Sequence, residues 1–130
     1  MNARNAIFPA ERHALYEKHR YSPAIQSNGF LFVSGQVGSL EDGSPQQGLK
    51  AQIGLAFKNL NAILSAAGCS FDDVVDVTIF MVDPQSTLEE IWPTILAEHW
   101  GVAPYPTVTV VGVTWLTGFD FEIKVIAKLP

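Results

Sequence analysis

The residues best suited to chemistry in this 130-residue chain are few and far apart. Glu122 lies in an alternating segment near the C-terminus, where a carboxylate in a pocket could act as a general base toward water. The simpler interpretation is that Glu122 is exposed on the polar face of a strand and pairs with Lys124. Tyr21 could line a pocket wall or serve as an ordinary interface aromatic. The residues alone leave both alternatives open.

Arginine, the side chain that grips a carboxylate with two parallel hydrogen bonds, is confined to the beginning of the chain. No arginine follows Arg20. The basic residues near the N-terminus, together with two histidines, are Arg4, Arg12, His13, Lys18, His19 and Arg20. This basic cluster could form a local anion site, although a solvated helix or arm is the more common explanation. The body of the chain therefore offers no guanidinium.

Metal and thiol chemistry are not expected. His13, His19 and His99 show no HExxH or similar spacing, so we expect no metal site. Cys69 is the single cysteine, which excludes an internal disulfide and a CxxC signature. Cys69 is interpreted as a buried, inert thiol. No feature of the chain indicates a cofactor.

Composition narrows the class of protein. The length predicts one domain, residues 1–130, with residues 1–20 as an N-terminal arm. A net charge of −5 disfavours nucleic-acid partners, because phosphate backbones are repelled. No segment approaches the ~20 apolar residues of a membrane span, and no signal-like run begins the chain. We therefore expect a cytoplasmic protein with no membrane partner, and the high apolar content hints at oligomerisation.

Two helices are predicted from capping signals and apolar spacing. The first is expected to begin at the capping box of residues 44–47 and to end at Gly68. The second is expected to follow a similar box at residues 87–90. Pro93 should kink this helix or mark its true start, because proline removes a backbone donor.

Apolar and β-branched segments predict the strands of a sheet, over residues 30–34, 74–82, 107–115 and 119–127. The last two strands are expected to be joined by a tight turn at Thr117 and Gly118. Residues 74–82 are apolar on both faces, which is typical of a strand buried on both sides. Because the two helices tend to share one face of the sheet, another subunit is the simplest cover for the other face.

Four segments, in this order and spacing, resemble the Rid family, also called the YjgF family, of reactive-intermediate deaminases. They are Tyr21-Ser-Pro-Ala24, Phe32-Val-Ser-Gly-Gln-Val-Gly38, Leu60-Asn-Ala-Ile-Leu-Ser-Ala-Ala-Gly68 followed by Asp72-Asp-Val-Val75, and Phe121-Glu-Ile-Lys-Val-Ile-Ala127. The resemblance implies an α+β, chorismate-mutase-like fold, a mixed sheet with two helices on one face, and a homotrimer. It also implies small-molecule pockets in the clefts between subunits.

The resemblance implies an activity and a set of site residues. The family's substrates are enamines and imines such as 2-aminoacrylate, released by pyridoxal-phosphate enzymes, and the products are a keto acid and ammonia. Tyr21 corresponds to the family's pocket tyrosine, Glu122 to the glutamate that helps to activate water, and Ser34 and Gly35 to pocket-wall positions. The family's carboxylate-binding arginine is replaced here.

Pro106-Thr-Val-Thr109 matches the arginine segment, which places Val108 at the arginine and Thr109 beside it. A one-residue register error would put Thr107 or Thr109 there. Whether Arg20 substitutes for the lost guanidinium is open. Tyr105 and Trp115, which lie near this segment, could form an aromatic pocket or simply pack in the core or an interface.

The resemblance leaves three interpretations of function. The first is a deaminase with altered specificity, a hydrolase that acts poorly on 2-aminoacrylate and favours a less anionic or more apolar ligand. Its ligand cleft would be lined by Tyr21, Ser34, Gly35, Val108 and Glu122. The second is a non-catalytic trimer that binds a small metabolite. The third is a ribonuclease, which the acidic charge and the scarcity of arginine disfavour.

Overall fold

A mixed sheet carries two long helices on one of its faces. The structure, a computed structural model, describes residues 4–9 and 13–130. The strands are β1 (Asn5–Ile7), β2 (Ala24–Ser27), β3 (Phe30–Val33), β4 (Gln36–Val37), β5 (Val74–Val82), β6 (Thr107–Val113) and β7 (Phe121–Lys128), and the helices are α1 (His13–His19), α2 (Leu49–Ala66) and α3 (Leu88–His99). The predicted α+β architecture is confirmed.

The strand order is β1-β2-β3-β7-β5-β6, and β4 pairs with β7 outside this path. β5 and β6 are parallel and are connected through α3, whereas the remaining pairs are antiparallel. The prediction that the last two strands form a hairpin is therefore wrong, because β5 lies between β6 and β7. Thr117 and Gly118 do adopt positive φ angles, of 54° and 91°, but within a longer connection.

The core lies between the helices and one face of the sheet. The apolar spacing that predicts α2 is confirmed, because the apolar side chains of this helix pack on β5 and β7. The buried residues that meet there are Ile53, Phe57, Leu60 and Leu64 from α2, Val77, Ile79 and Met81 from β5, and Phe121, Ile123 and Val125 from β7. β7 lies in the middle of the sheet, between β5 and β3, and its four alternate side chains that face the helices, including Ala127, are fully buried.

The helix ends follow the sequence signals only in part. α2 begins at Leu49, after Gly48 with a φ of 85°, so the predicted start at residues 44–47 is wrong. The Ser44 hydroxyl donates to Asp42 Oδ1 at 2.6 Å, which holds Ser44 in a local turn instead of at a helix start. The predicted stop is confirmed, since Gly68 has a φ of 75° just beyond the helix.

α3 begins directly after Thr87, as predicted, although the Thr87 side chain makes no capping hydrogen bond. Pro93 lies within the helix and does not mark its start. The N-terminal arm contains a strand and a helix, β1 and α1, and β1 extends the sheet by pairing with β2. Arg12 lies outside the described residues. Within the described ranges, no helix combines the length and hydropathy that crossing a bilayer requires.

The other face of the sheet lies opposite α2 and α3 and remains partly apolar. Strand pairing and alternation place Phe30, Phe32, Phe80, Val111 and Ile126 on this open face. Phe32 is 44% exposed and Phe30 is 37% exposed. Apolar side chains of this size on a sheet face are typical of a surface that a partner covers.

Candidate functional site

Glu122 lies near the centre of the sheet on its open face. Its neighbours Phe121 and Ile123 point into the core, so alternation directs Glu122 the other way. It faces Phe80 of β5 on one side and Val37 of β4 on the other. This half-buried position raises the pKa of Glu122 above its ordinary value, and the nearby Lys124 ammonium opposes the effect in part.

Gly35 allows the Glu122 carboxyl group to lie directly against the backbone. A Cβ atom built on Gly35 would collide with Glu122 Oε2 and would lie 2.5 Å from its carboxyl carbon. Gly35 does not have a positive φ, so close approach is the reason for glycine here. Gly35, within the segment Phe32–Gly38 that resembles the family, is therefore matched to the position of the Glu122 carboxyl group.

Ser34 and Tyr21 lie beside this pair. The Ser34 hydroxyl donates to the Ser22 carbonyl at 2.6 Å, and its backbone N–H donates to the Pro23 carbonyl at 2.8 Å. These bonds fix the segment after Tyr21 against the end of β3. The Tyr21 ring packs edge-on against Tyr16 with centroids 4.9 Å apart.

The phenol of Tyr21 remains a hydrogen-bond donor at neutral pH. Burial, then the nearby Tyr16 and then Glu122, raise the pKa of Tyr21 above its ordinary value. The Tyr21 ring lines a cleft with Ser34 and Lys124. Tyr21 is 45% exposed, so its ring is accessible from the open face.

The structure brings four of the six predicted site residues together, namely Tyr21, Ser34, Gly35 and Glu122. Val108 lies elsewhere in the same chain. It pairs with the buried Val77 and points to the helix side of the sheet. There it lines a largely apolar cleft of about 410 Å³ with Leu96, Trp100 and Tyr105. Within one chain, Val108 and Glu122 occupy opposite faces.

Thr109, the residue after Val108, lies on the open face. It pairs with Thr78 of β5, which pairs with Lys124 of β7. The alternation of threonine and valine along β6 predicts that Val108 and Thr109 lie on opposite faces, because only one of two neighbouring side chains can share the face of Glu122. Trp115 is 69% exposed and is not among the residues around either cleft described here.

A second cleft, of about 610 Å³, lies beside Tyr21 and Ser34 on the open face. Arg4, Arg20 and Lys124 are among the residues that line it. The signal for Lys124 was the alternation that puts it on the face of Glu122. Arg4 and Arg20 belong to the basic N-terminal cluster that the sequence indicates as a possible anion site, and the pairing of β1 with β2 places Arg4 at this cleft.

The remaining candidates have structural roles. His99 stacks on Phe57 with ring centroids 3.9 Å apart, and its Nδ1 lies 3.0 Å from the Ile95 carbonyl. Cys69 is buried, and burial followed by the charge of Asp73 raises the pKa of its thiol, which makes the reactive thiolate scarce. In the described ranges, no group of His, Cys, Asp or Glu side chains could hold a metal ion.

Comparison with known proteins decides the family. The family described as "Endoribonuclease L-PSP" matches residues 11–129. The "RutC family protein YjgH" of Escherichia coli (strain K12) is 58% identical over 130 residues, covering 100% of this chain and 98% of the relative. The chain belongs to the Rid (YjgF/RutC) family. A solved structure of YjgH has a TM-score of 0.91 at 59% identity, covering 98% of this Rid chain and 97% of that one.

More distant relatives extend the comparison. RidA from the Antarctic bacterium Psychrobacter has a TM-score of 0.79 at 28% identity, covering 97% of this Rid chain and 100% of its own. The mouse "2-iminobutanoate/2-iminopropanoate deaminase" is 40% identical over 79 residues, which are 57% of this chain and 58% of the relative. Family membership thus supports an imine or enamine deaminase-like function in general.

Proposed function

We propose that this Rid protein is a hydrolase of small imines or enamines, with Glu122 as the general base. The observation that supports this proposal is the half-buried Glu122 carboxyl group, which lies against Gly35, the residue after Ser34 of the Tyr21 cleft. Its carboxylate takes a proton from water as the water oxygen attacks the imine carbon. The same proton then reaches the nitrogen to give a carbinolamine. Glu122 next moves the hydroxyl proton of the carbinolamine to the amino nitrogen, the C–N bond breaks, and a carbonyl compound and ammonia are released.

The raised pKa of Glu122 suits this task. A general base works best when its pKa is near the working pH, and burial moves a carboxyl group in that direction. Tyr21, protonated at neutral pH, can donate a hydrogen bond to a substrate acceptor atom. Gly35 keeps the space beside the carboxylate free of a side chain. Each of these groups lies on the open face.

The proposal includes a homotrimer in the cytoplasm, with the ligand cleft between subunits. Two features support this assembly. The open face exposes Phe30 and Phe32, and the Val108 half of the predicted site lies on the other face of the sheet, where only a second copy can bring it to Glu122. Light scattering at micromolar concentration is expected to give three times the chain mass, and a monomer would contradict the assembly.

We expect little activity on 2-aminoacrylate, because Val108 supplies no fork donor for its carboxylate. Loss of one partner of a buried charged pair typically costs about 2–5 kcal/mol. If the transition state feels this loss, the rate falls on the order of 30-fold to several thousand-fold. A pyridoxal-phosphate dehydratase would generate the enamine, and pyruvate appearance would be followed with an arginine-containing relative as the positive control.

Val108→Arg is the matching gain-of-function variant, and calorimetric titration with pyruvate measures its effect. A guanidinium on β6 is expected to raise the affinity for small keto acids. Wild-type acceleration equal to that of the relative would refute the altered specificity.

The presence of valine at position 108, in place of the family's arginine, also favours a second function. A non-catalytic trimer that binds a small metabolite would keep the cleft. It would not need an arginine to hold the substrate carboxylate in the transition state. The Val108 cleft, lined mainly by apolar side chains, supports this alternative. Binding of a keto acid without release of ammonia from any imine tested would favour the binder over the hydrolase.

A further inference from the structure

The open-face cleft beside Tyr21 concentrates positive charge. Arg4, Arg20 and Lys124 line it, and none of the described lining residues carries a carboxylate. The whole chain has a net charge of −5, so this cleft departs from the average charge of the protein. Cations gathered in a concave surface attract small anions.

Three different elements bring these cations together. Arg4 precedes β1, which pairs with β2 and so carries the arm to the edge of the sheet. Lys124 lies on β7, two residues from Glu122 and on the same face. Arg20 follows α1 and has a φ of 59°, a left-handed conformation that favours glycine.

We propose that Arg4, Arg20 and Lys124 bind the carboxylate of an anionic imine, in place of the guanidinium that Val108 lacks. This inference rests on the proposed function, because it assigns the reacting carbon to Glu122. Arginine presents paired N–H donors to a carboxylate, and lysine adds a point charge. The anion site has thus moved from β6 to the arm and β7.

The position of this site also restricts the substrate. Residues two apart on a strand have Cα atoms roughly 7 Å apart, whereas a 2-imino acid has its carboxylate bonded directly to the imine carbon. The cleft therefore fits an imine whose carboxylate is separated from the imine carbon by about two methylene groups. The corresponding product is a keto acid such as 4-oxopentanoate.

Calorimetric titration of the full-length protein with 4-oxopentanoate tests the anion site. We expect binding that Lys124→Gln and Arg20→Gly each weaken about 10-fold or more. Lys128→Gln is the matched control, because Lys128 lies on the same strand and face but is not among the cleft residues. Its affinity should equal that of the wild type. Light scattering checks that every variant keeps the same assembly.

Arg20→Gly separates binding from folding. Glycine relieves the left-handed backbone, so thermal stability should be unchanged or higher while affinity falls. Lower stability with unchanged affinity would overturn the inference. The neutral ketone 2-pentanone should not bind, and pyruvate should bind more weakly than 4-oxopentanoate. If inorganic phosphate binds more tightly than 4-oxopentanoate through the same residues, the carboxylate assignment is wrong.

Binding and turnover distinguish this inference from the proposed function. If 4-oxopentanoate binds through Arg20 and Lys124 but no imine is hydrolysed, the anion site stands and the deaminase proposal fails. If imines are hydrolysed with the same kcat/KM in wild type, Arg20→Gly and Lys124→Gln, the deaminase stands and the anion site fails.

Discussion

Glu122→Gln is expected to lower kcat/KM for imine hydrolysis by about 10²–10⁴-fold, the usual contribution of a general base. Glutamine keeps the shape of the side chain but accepts no proton from water. The imine of 4-oxopentanoate would be generated in situ by an amine oxidase from 4-aminopentanoate, and ammonia release would be measured beyond that of the oxidase alone. Activity that survives the substitution would show that Glu122 is not the base.

The pH dependence of the wild type provides a second readout. The catalytic form is the carboxylate, so kcat/KM should rise with pH through the pKa of Glu122. This rise should lie above the ordinary glutamate value of 4.5, because burial raises the pKa. Lys124→Gln should shift the rise further upward, since the ammonium opposes that effect.

The same pKa change links pH to stability. A folded-state pKa above the unfolded value means that the protonated carboxyl group stabilises the fold at low pH. This stability is lost as pH rises through the folded pKa. Relative to the wild type, Glu122→Gln should therefore become more stable as pH rises above 4.5, and thermal unfolding at two pH values measures the difference.

Gly35→Ala tests the placement of the carboxylate without removing it. The new methyl group must displace the Glu122 carboxyl, so kcat/KM should fall although the acid is retained. Gly54→Ala is the matched control, because nothing lies within 4 Å of a Cβ at that position. Gly54→Ala should leave the rate unchanged. Equal rates in the two alanine variants would contradict the placement.

The sequence predicts the elements better than their pairing. Local patterns defined α2, β5 and β7, because helix spacing and strand alternation report burial directly. The predicted tight turn between the last two strands failed because adjacency in sequence favours a hairpin, whereas both edges of β7 pair with other strands, β5 on one side and β3 and β4 on the other. Pairing order is a property of the whole sheet.

For the candidate site too, the sequence predicts the residues better than their arrangement in space. Motif resemblance identified Tyr21, Ser34, Gly35 and Glu122, which the structure places side by side. It also grouped them with Val108, which lies on the other face. A motif records which residues serve a function, not which face or subunit supplies each one. The sequence groups Arg4 with Arg20 in the basic N-terminal cluster, but only the pairing of β1 with β2 carries Arg4 to the cleft.

Gln52 is a further residue that the sequence did not reveal, since its position in α2 looked like that of any polar helix residue. It is only 3% exposed. Its Oε1 accepts from the backbone N–H groups of Asp120 at 2.8 Å and Phe121 at 3.2 Å, and its Nε2 donates to the Gln46 carbonyl at 3.2 Å. One side chain thus ties α2 to the start of β7.

Gln52→Ala is expected to lower the free energy of unfolding by about 2 to 6 kcal/mol, because two strand N–H groups lose their acceptor. Urea denaturation would measure the change. The exposed Gln47 provides the control, and Gln47→Ala should change stability by less than about 0.5 kcal/mol. Equal stability of the two variants would show that water replaces the amide at no cost.

Loss of the Gln52 side chain should also lower the rate of the reaction, because Glu122 directly follows Phe121, whose N–H group Gln52 binds. With the start of β7 released, the carboxyl group is held less firmly against Gly35, and kcat/KM should fall in the folded Gln52→Ala protein. The decrease should be smaller than for Glu122→Gln, since the base itself is retained. A folded variant with wild-type kcat/KM would mean that β4 and β5, which pair with Glu122 on either side, suffice to position it.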